Sequence, residues 1–229
     1  MYSIKEIFYT LQGEGANTGR PAVFCRFTGC NLWSGREEDR DKAICNFCDT
    51  DFVGTDGVGG GKFKTPEDVA EAMLAVRRSD SDWADYDVHA DKLLTTPSGQ
   101  RVPILAVLTG GEPMLQVNLP LIRCLHNAGF EIAVETNGTL PVPGAIDWIC
   151  VSPKSSAPLS QIHGDELKLV YPQVEISPED VVKLDFKHRY LQPMDGPDIA
   201  KNTAATIAYC KTHPQWRLSL QTHKTLGIR

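Results

Sequence analysis

Branched and aromatic residues fall along this chain in short runs separated by polar and glycine-rich stretches. Between many of these runs the apolar positions take up a helical period. The runs at 23–27, 104–109, 131–135, 148–152, 166–171, 188–192 and 217–221 read as strands. Val69, Ala70, Met73, Leu74 and Arg77 mark one helical face. Leu121, Ile122 and Leu125 mark a second, and Ile199, Thr203, Ile207 and Cys210 a third. Two helix starts are explicit. Thr65 and Ser177 each place a capping hydroxyl before a proline and a pair of acids, Glu67 and Asp68 or Glu179 and Asp180, which suit the positive end of the helix dipole. Strand and helix in alternation predict an α/β fold with a parallel sheet and outer helices, and functional residues gathered at the carboxyl ends of the strands.

At 229 residues the chain is long enough for one domain, 1–229, with a substantial core. The segment 51–64 reads as a flexible glycine-rich connector. It lacks the lysine and hydroxyl ending of a nucleotide-binding P-loop. The polar segment 78–101 has no clear period and reads as a surface insertion. A net charge of -6 argues against a phosphate-backbone partner, so no nucleic acid is expected. No stretch reaches the ~20 apolar residues of a membrane helix, and the opening MYSIKEIFYT has no secretory pattern. A cytoplasmic protein without membrane contact is the expectation.

Seven cysteines, an odd number with no export signal before them, read as reduced thiols. Cys25 and Cys150 lie in strand-like runs, and Cys124 and Cys210 on helical stripes, where a free thiol packs as a small hydrophobe. Cys30, Cys45 and Cys48 instead follow a strand within a polar stretch. Thiolates are soft ligands for iron-sulfur clusters or zinc, and the C-x2-C pair offers two sulfurs from one tight turn. A third thiol without a nearby fourth leaves a metal position open, whereas structural zinc is closed by four ligands. His89 or His126 could complete a zinc site, so both readings stand on spacing alone.

The wider pattern is more specific: LQGEG at 11–15, FCRFTGCNLW at 24–33, CNFCDTDF at 45–52, TGGEP at 109–113, ETNG at 135–138 and VSPK at 151–154. With these motifs, which span most of the chain apart from 78–101, the sequence resembles the 7-carboxy-7-deazaguanine synthases, a family of radical S-adenosylmethionine enzymes. The usual cysteine spacing in such enzymes is C-x3-C-x2-C. Here residues 31–44 separate the first two, an enlarged loop known in some members of the family.

The resemblance implies an incomplete, partial TIM-type α/β barrel, open on one side. It implies that Cys30, Cys45 and Cys48 hold a 4Fe-4S cluster whose open iron takes S-adenosylmethionine. Gly110, Gly111 and Glu112 would hold the methionyl amino group, Glu135 and Ser152 would hold other parts of that cofactor, and Lys154 would meet its carboxylate. The plainer alternatives are a strand-to-helix turn for 110–113, a cap or turn for Glu135 and a solvated lysine for Lys154. Leu11, Gln12, Gly13, Glu14 and Gly15 would line a pterin pocket, with Arg26 pairing a substrate carboxylate unless it is only a surface arginine. Gln192, Gln221, His223 and Lys224 would close that pocket. Thr50 would help bind Mg2+, and Asp49 would order the adjoining loop. The reaction implied is conversion of 6-carboxy-5,6,7,8-tetrahydropterin to 7-carboxy-7-deazaguanine with loss of ammonia, on the route to queuosine. The resemblance also implies a homodimer fed by a reductant such as a flavodoxin. A non-catalytic zinc module and a radical activase acting on a protein glycine are the alternatives.

Overall fold

The computed structural model describes residues 1–78, 93–95 and 101–229. Its strands are β1 (Tyr2–Leu11), β2 (Pro21–Phe27), β3 (Gly61–Phe63), β4 (Leu93–Thr95), β5 (Arg101–Gly110), β6 (Phe130–Thr136), β7 (Trp148–Val151), β8 (His163–Tyr171), β9 (Asp185–Pro193) and β10 (Arg217–Leu218). Its α-helices are α1 (Pro66–Arg78), α2 (Leu119–Asn127), α3 (Pro178–Val181), α4 (Ile199–Thr212) and α5 (Thr222–Leu226).

All seven runs read as strands are strands, the last shortened to Arg217–Leu218. They pair in the order β10-β9-β8-β7-β6-β5-β2, every pair parallel. The path continues through β1 to β3, both pairings antiparallel, and β4 joins β5 off that path. The sheet therefore ends at β10 and β3 without closing, as a partial barrel does. Most of the expected insertion 78–101 lies outside the described residues; within it, Leu93–Thr95 forms β4.

Side chains alternate between two environments. Val23, Cys25 and Phe27, with Ile104, Ala106, Leu108, Ile132 and Val134, face outward into a core shared with Val69 and Met73 of α1 and Leu121 and Leu125 of α2. A second outer core joins Leu167, Leu169 and Leu191 to Val181 and Trp216. On the inner face Ala22, Leu105, Val107 and Ala133 pack with Phe24 and Trp148. Both expected helix caps are present. Asp68 N–H donates to Thr65 Oγ1 at 3.1 Å while Thr65 N–H donates back to Asp68 Oδ2 at 3.0 Å. Ser177 N–H donates to Asp180 Oδ2 at 2.8 Å. Cys25 and Cys150 are buried, and Cys124 and Cys210 pack against the outer cores.

Two elements depart from the sequence reading. β1 was not expected, because a bulge between Ile4 and Glu6 interrupts its period. Tyr2, Ile4, Ile7 and Tyr9 all meet one core although their spacing is not a multiple of two. The segment 51–64 is not a loose connector. Gly57 N–H donates to Lys5 O at 3.0 Å, Ile7 N–H donates to Val58 O at 2.8 Å, and β3 completes the pairing with β1. A Cβ at Gly60 would stand 2.2 Å from Lys5 O, so the glycines are there for close backbone approach.

Candidate active site

The inner faces of the strands enclose a cavity of about 280 Å³. Cys30, Cys45 and Cys48 all line it, together with Trp33, Phe47 and Phe52. Cys30 follows directly on β2. The Cys48 thiol is held down to about 6, first by a hydrogen bond from Cys45 and then by the backbone N–H of Thr50 and the charge of Lys154, against the opposing effect of burial. Cys45 is pushed up correspondingly, by that same shared hydrogen bond and by burial. The hydrogen bond between the two sulfurs therefore favours Cys48 as the thiolate of the pair. Burial pushes the Cys30 thiol up.

The TGGEP turn is fitted to the Cys30 turn. A Cβ on Gly111 would lie 2.1 Å from Gly29 O and 2.9 Å from Cys30 Cβ, and one on Gly110, at φ +152°, would lie 2.3 Å from Phe27 O. Glu112 N–H donates to Gly29 O at 2.8 Å, which locks the two turns together. The Glu112 side chain is fully buried and does not reach the cavity wall. Its Oε1 accepts from Met114 N–H at 2.9 Å and Thr136 Oγ1 at 2.8 Å, and its Oε2 accepts from Asn137 N–H at 2.8 Å. It therefore staples the ends of β5 and β6.

Three thiols on one wall, one disposed to be a thiolate, with a glycine cradle behind them, fit an iron-sulfur cluster. Among the described residues no three His, Cys, Asp or Glu side chains converge as a single-ion site. A cluster that gives each thiolate its own iron does not require that convergence.

The opposite end of the cavity is built by the β1–β2 connection. Because β1 runs against β2, with Leu11 opposite Pro21, LQGEG lies at the amino ends of the parallel strands rather than at their carboxyl ends. It crosses the lumen to reach the far strands. Ala16 N–H donates to Glu166 Oε2 at 3.0 Å and Gly15 N–H to Ser219 Oγ at 3.0 Å. Two glycines allow this route: a Cβ on Gly15, at φ +64°, would meet Glu166 Oε1 at 1.8 Å, and one on Gly13 would meet His223 Nδ1 at 2.3 Å.

At the centre stands Lys168, its side chain 4% exposed, donating to Glu14 Oε2 at 2.7 Å and Glu135 Oε2 at 2.8 Å. Gln192 and Gln221 donate through Nε2 to the other oxygen of Glu14, at 3.2 and 3.0 Å. Gln12 Nε2 donates to Glu135 Oε1 at 3.3 Å. Burial alone would raise the Glu14 carboxyl, but the charge and hydrogen bond of Lys168, aided by Gln221 and His223, hold it at about 2. Burial likewise opposes the charge of Lys168, yet Cys150, Glu135, Glu14 and Glu166 keep its pKa well above the ordinary lysine value. Burial lowers His223 and raises Glu166, whose Oε1 is buried without a hydrogen-bond partner.

Between the two ends, Arg26 lines the cavity with its Nε donating to Glu6 Oε1 at 2.9 Å. Lys154 Nζ donates to Ser152 Oγ, so this lysine is positioned rather than free in solvent. Thr50 lines the cavity beside Asp49. Lys224 Nζ of α5 donates to Asp49 Oδ2 at 2.7 Å and Asp195 Oδ2 at 2.6 Å, joining the segment after Cys48 to the last helix. Thr222 N–H and Oγ1 both donate to Gly13 O, at 3.0 and 2.9 Å.

The structure thus brings Cys30, Cys45, Cys48, Thr50, Gly110, Gly111, Glu135, Ser152, Lys154, Leu11, Gln12, Gly13, Glu14, Arg26, Gln192, Gln221 and His223 to one cavity. Glu112 and Gly15 stand behind its wall. Sequence reading missed Lys168. A signal was available: strands buried on both faces of a parallel sheet are near-continuously apolar, and Glu166 and Lys168 break that rule two residues apart, alternating with Leu167 and Leu169.

No family model matches the chain. Among curated proteins it is 57% identical to 7-carboxy-7-deazaguanine synthase of Caulobacter vibrioides and 56% identical to that of Burkholderia multivorans, covering 99% of this chain and 99% of each relative. Among solved structures it is similar to QueE from Escherichia coli, with a TM-score of 0.62 and 27% identity, over 96% of this chain and 93% of that one. Identity of this extent, over 99% of each relative, makes the chain a member of the 7-carboxy-7-deazaguanine synthase family.

Proposed function

We propose that this protein is a radical S-adenosylmethionine lyase that converts 6-carboxy-5,6,7,8-tetrahydropterin to 7-carboxy-7-deazaguanine and ammonia, in the biosynthesis of queuosine and related 7-deazapurines. Family membership stands behind this reading and against a zinc module or a glycyl activase. The observation that carries it is a single cavity lined both by three cysteines and by the Gln12, Glu14, Lys168, Gln192 and Gln221 array.

Cys30, Cys45 and Cys48 would hold the 4Fe-4S cluster, which when loaded supplies the electron that opens S-adenosylmethionine to a carbon radical. Iron ligation would require both Cys45 and Cys48 as thiolates. Gly110 and Gly111 present backbone next to Cys30, and Glu135, Ser152 and Lys154 supply an acceptor, a hydroxyl and a cation for the ribose and carboxylate of S-adenosylmethionine. Glu14, fixed as a carboxylate by Lys168, accepts hydrogen bonds from ring N–H groups of a pterin, while Gln12, Gln192 and Gln221 offer amides. Arg26 offers a cation for the substrate carboxylate. The apolar wall of Phe8, Phe24 and Phe52 keeps water from the reacting carbons. Thr50 adds a hard oxygen for Mg2+ at the substrate's own oxygens.

The resemblance further supports a homodimer reduced by a protein such as a flavodoxin. Among the described residues no helix is long and apolar enough to cross a membrane, and the reading places the enzyme in the cytoplasm. The deciding experiment is anaerobic incubation of the reconstituted protein with carboxytetrahydropterin, S-adenosylmethionine, Mg2+ and a reductant, read by mass spectrometry. The deazapurine is expected only when all components are present. Its absence with an intact cluster would overturn the assignment.

A further inference from the structure

The loop 31–44 adds residues between the first cluster cysteine and the C-x2-C pair, and the fold gives it work. It forms a 3-10 helix, Glu37–Lys42, whose Arg40 reaches back to the cysteine turn. Arg40 Nη1 donates to Asn46 O at 2.9 Å and to Cys48 O at 3.0 Å, so one guanidinium nitrogen holds two carbonyls of the C-x2-C turn. Two neighbours fix that guanidinium. Its Nε donates to both oxygens of Glu37 at 2.8 Å, and its plane lies over the Trp33 ring, 4.2 Å from the centroid. Trp33 is itself buried, donates through Nε1 to Arg36 O at 3.1 Å and meets Phe52 edge-on at 5.7 Å. The platform is closed on the far side by Gly35, at φ +80°, where a Cβ would stand 2.4 Å from a Val53 methyl.

We propose that Arg40 is a positioning residue for the iron-sulfur cluster, clamping the Cys45–Cys48 turn so that its two sulfurs present one fixed geometry, and that delivering this clamp is a function of the enlarged loop. The proposal rests on Cys30, Cys45 and Cys48 being the cluster ligands. Glu37 pairs with Arg40, so the clamp acts by holding carbonyls more than by adding charge near the cluster. Lysine at this position keeps the charge but lacks the planar fork that can stack on Trp33 while holding Glu37 and the carbonyls together.

The test uses the full chain reconstituted without oxygen as parent, Arg40→Met, Arg40→Lys and Cys48→Ala. Iron and sulfide content, iron release to a ferrous chelator and the electron paramagnetic resonance spectrum of the reduced cluster are measured, with thermal unfolding of each apoprotein as control. Arg40→Met is expected to release iron at least about tenfold faster, since loss of even one of its two charged-donor hydrogen bonds to the turn gives that factor. Its spectrum should broaden, while the unfolding temperature of the apoprotein stays within a few degrees of the parent. Arg40→Lys should fall between the two. Release rates and spectra identical to the parent in both Arg40 variants, with the cluster lost in Cys48→Ala, would overturn the clamp and leave the ligand assignment standing. Faster release that follows a matching drop in apoprotein stability, with the spectrum unchanged, would reduce Arg40 to a fold-stabilising residue and overturn it too. A cluster retained in Cys48→Ala would overturn the ligand assignment and the clamp together. Should Arg40→Met not fold, Arg40→Lys alone decides, by its spectrum and release rate.

Discussion

Replacing Lys168 by methionine, which keeps the volume of the stem and removes the ammonium, isolates the electrostatics of the cavity floor. Two carboxylates, Glu14 and Glu135, would then share a buried site with no cation between them. In the parent, Glu14 is depressed from its ordinary 4.5 to about 2; at about 1.4 kcal/mol for each tenfold change in proton affinity this amounts to about 3 kcal/mol. The side chains of Lys168 and Glu14 are 4% and 19% exposed, so solvent screens the pair little. Breaking a buried pair by removing one partner costs about 3–5 kcal/mol, in agreement. The sign with pH follows from the direction of the shift. Stability from a depressed carboxyl is fully present above 4.5 and is lost as pH falls toward 2, so this pair is intact throughout the neutral range in the parent. In Lys168→Met, burial without that cation raises Glu14 relative to the parent, so the variant takes up a proton as pH falls and recovers stability in that direction. Urea unfolding of the anaerobic apoproteins at several values between pH 5 and 8 measures this. With a slope of about 2–3 kcal/mol per molar, the variant's midpoint should fall about 1–2.5 M below the parent at pH 8, with the gap narrowing toward pH 5. A gap under 1 kcal/mol, or one independent of pH, would refute the reasoning.

The other expectations concern residues around that floor. Glu112→Ala strips acceptors from three donors at the junction of β5 and β6 and should cost about 2–4 kcal/mol in unfolding while leaving the affinity of the folded protein for S-adenosylmethionine near that of the parent; a selective loss of affinity at parental stability would show that Glu112 is a ligand after all. Gly13→Ala drives a methyl into His223 and should weaken pterin binding at least tenfold with the cluster intact, checked by calorimetry against the pterin. Glu135→Gln should raise the dissociation constant for S-adenosylmethionine more than that for the pterin, since the pair of Lys168 and Glu14 survives; equal weakening of both would move Glu135 to the pterin side. Thr50→Ala should keep its cluster and bind S-adenosylmethionine but lose the Mg2+ dependence of turnover and most of its rate, measured by titrating Mg2+ into metal-stripped protein.

The parallel strands were legible because they announce themselves: 104–109 and 131–135 are largely apolar, and the capping residues Thr65 and Ser177 state where helices begin. β1 was not legible, since the bulge at Ile4 and Glu6 shifts its hydrophobic register midway. Glycine misled at 51–64, where it serves close backbone contact with Lys5 and Ile7 rather than freedom. In the cavity, most wall residues were found through motif resemblance, which carries no partners with it. A carboxylate in TGGEP reads the same whatever it meets, and only the fold shows that Glu112 accepts from the N–H groups of Met114 and Asn137. Lys168 lay in no motif, and its importance comes from two acids 154 and 33 residues away in sequence.

A closed TIM barrel fills its interior with layers of branched side chains supplied by every strand, so its inner shape is a property of the whole sheet. Here the lumen is floored instead by Gln12 through Glu14, in a loop entering from the amino ends of the strands and tied by a few hydrogen bonds to β8 and the segment after β10. Frame and loop therefore meet at few points, and those points are strict. Replacing Glu14 leaves Lys168 without one of its two partners, and Gly13 and Gly15 admit no side chain unless His223 or Glu166 moves, so a lineage that redraws this floor must change both partners of a contact together.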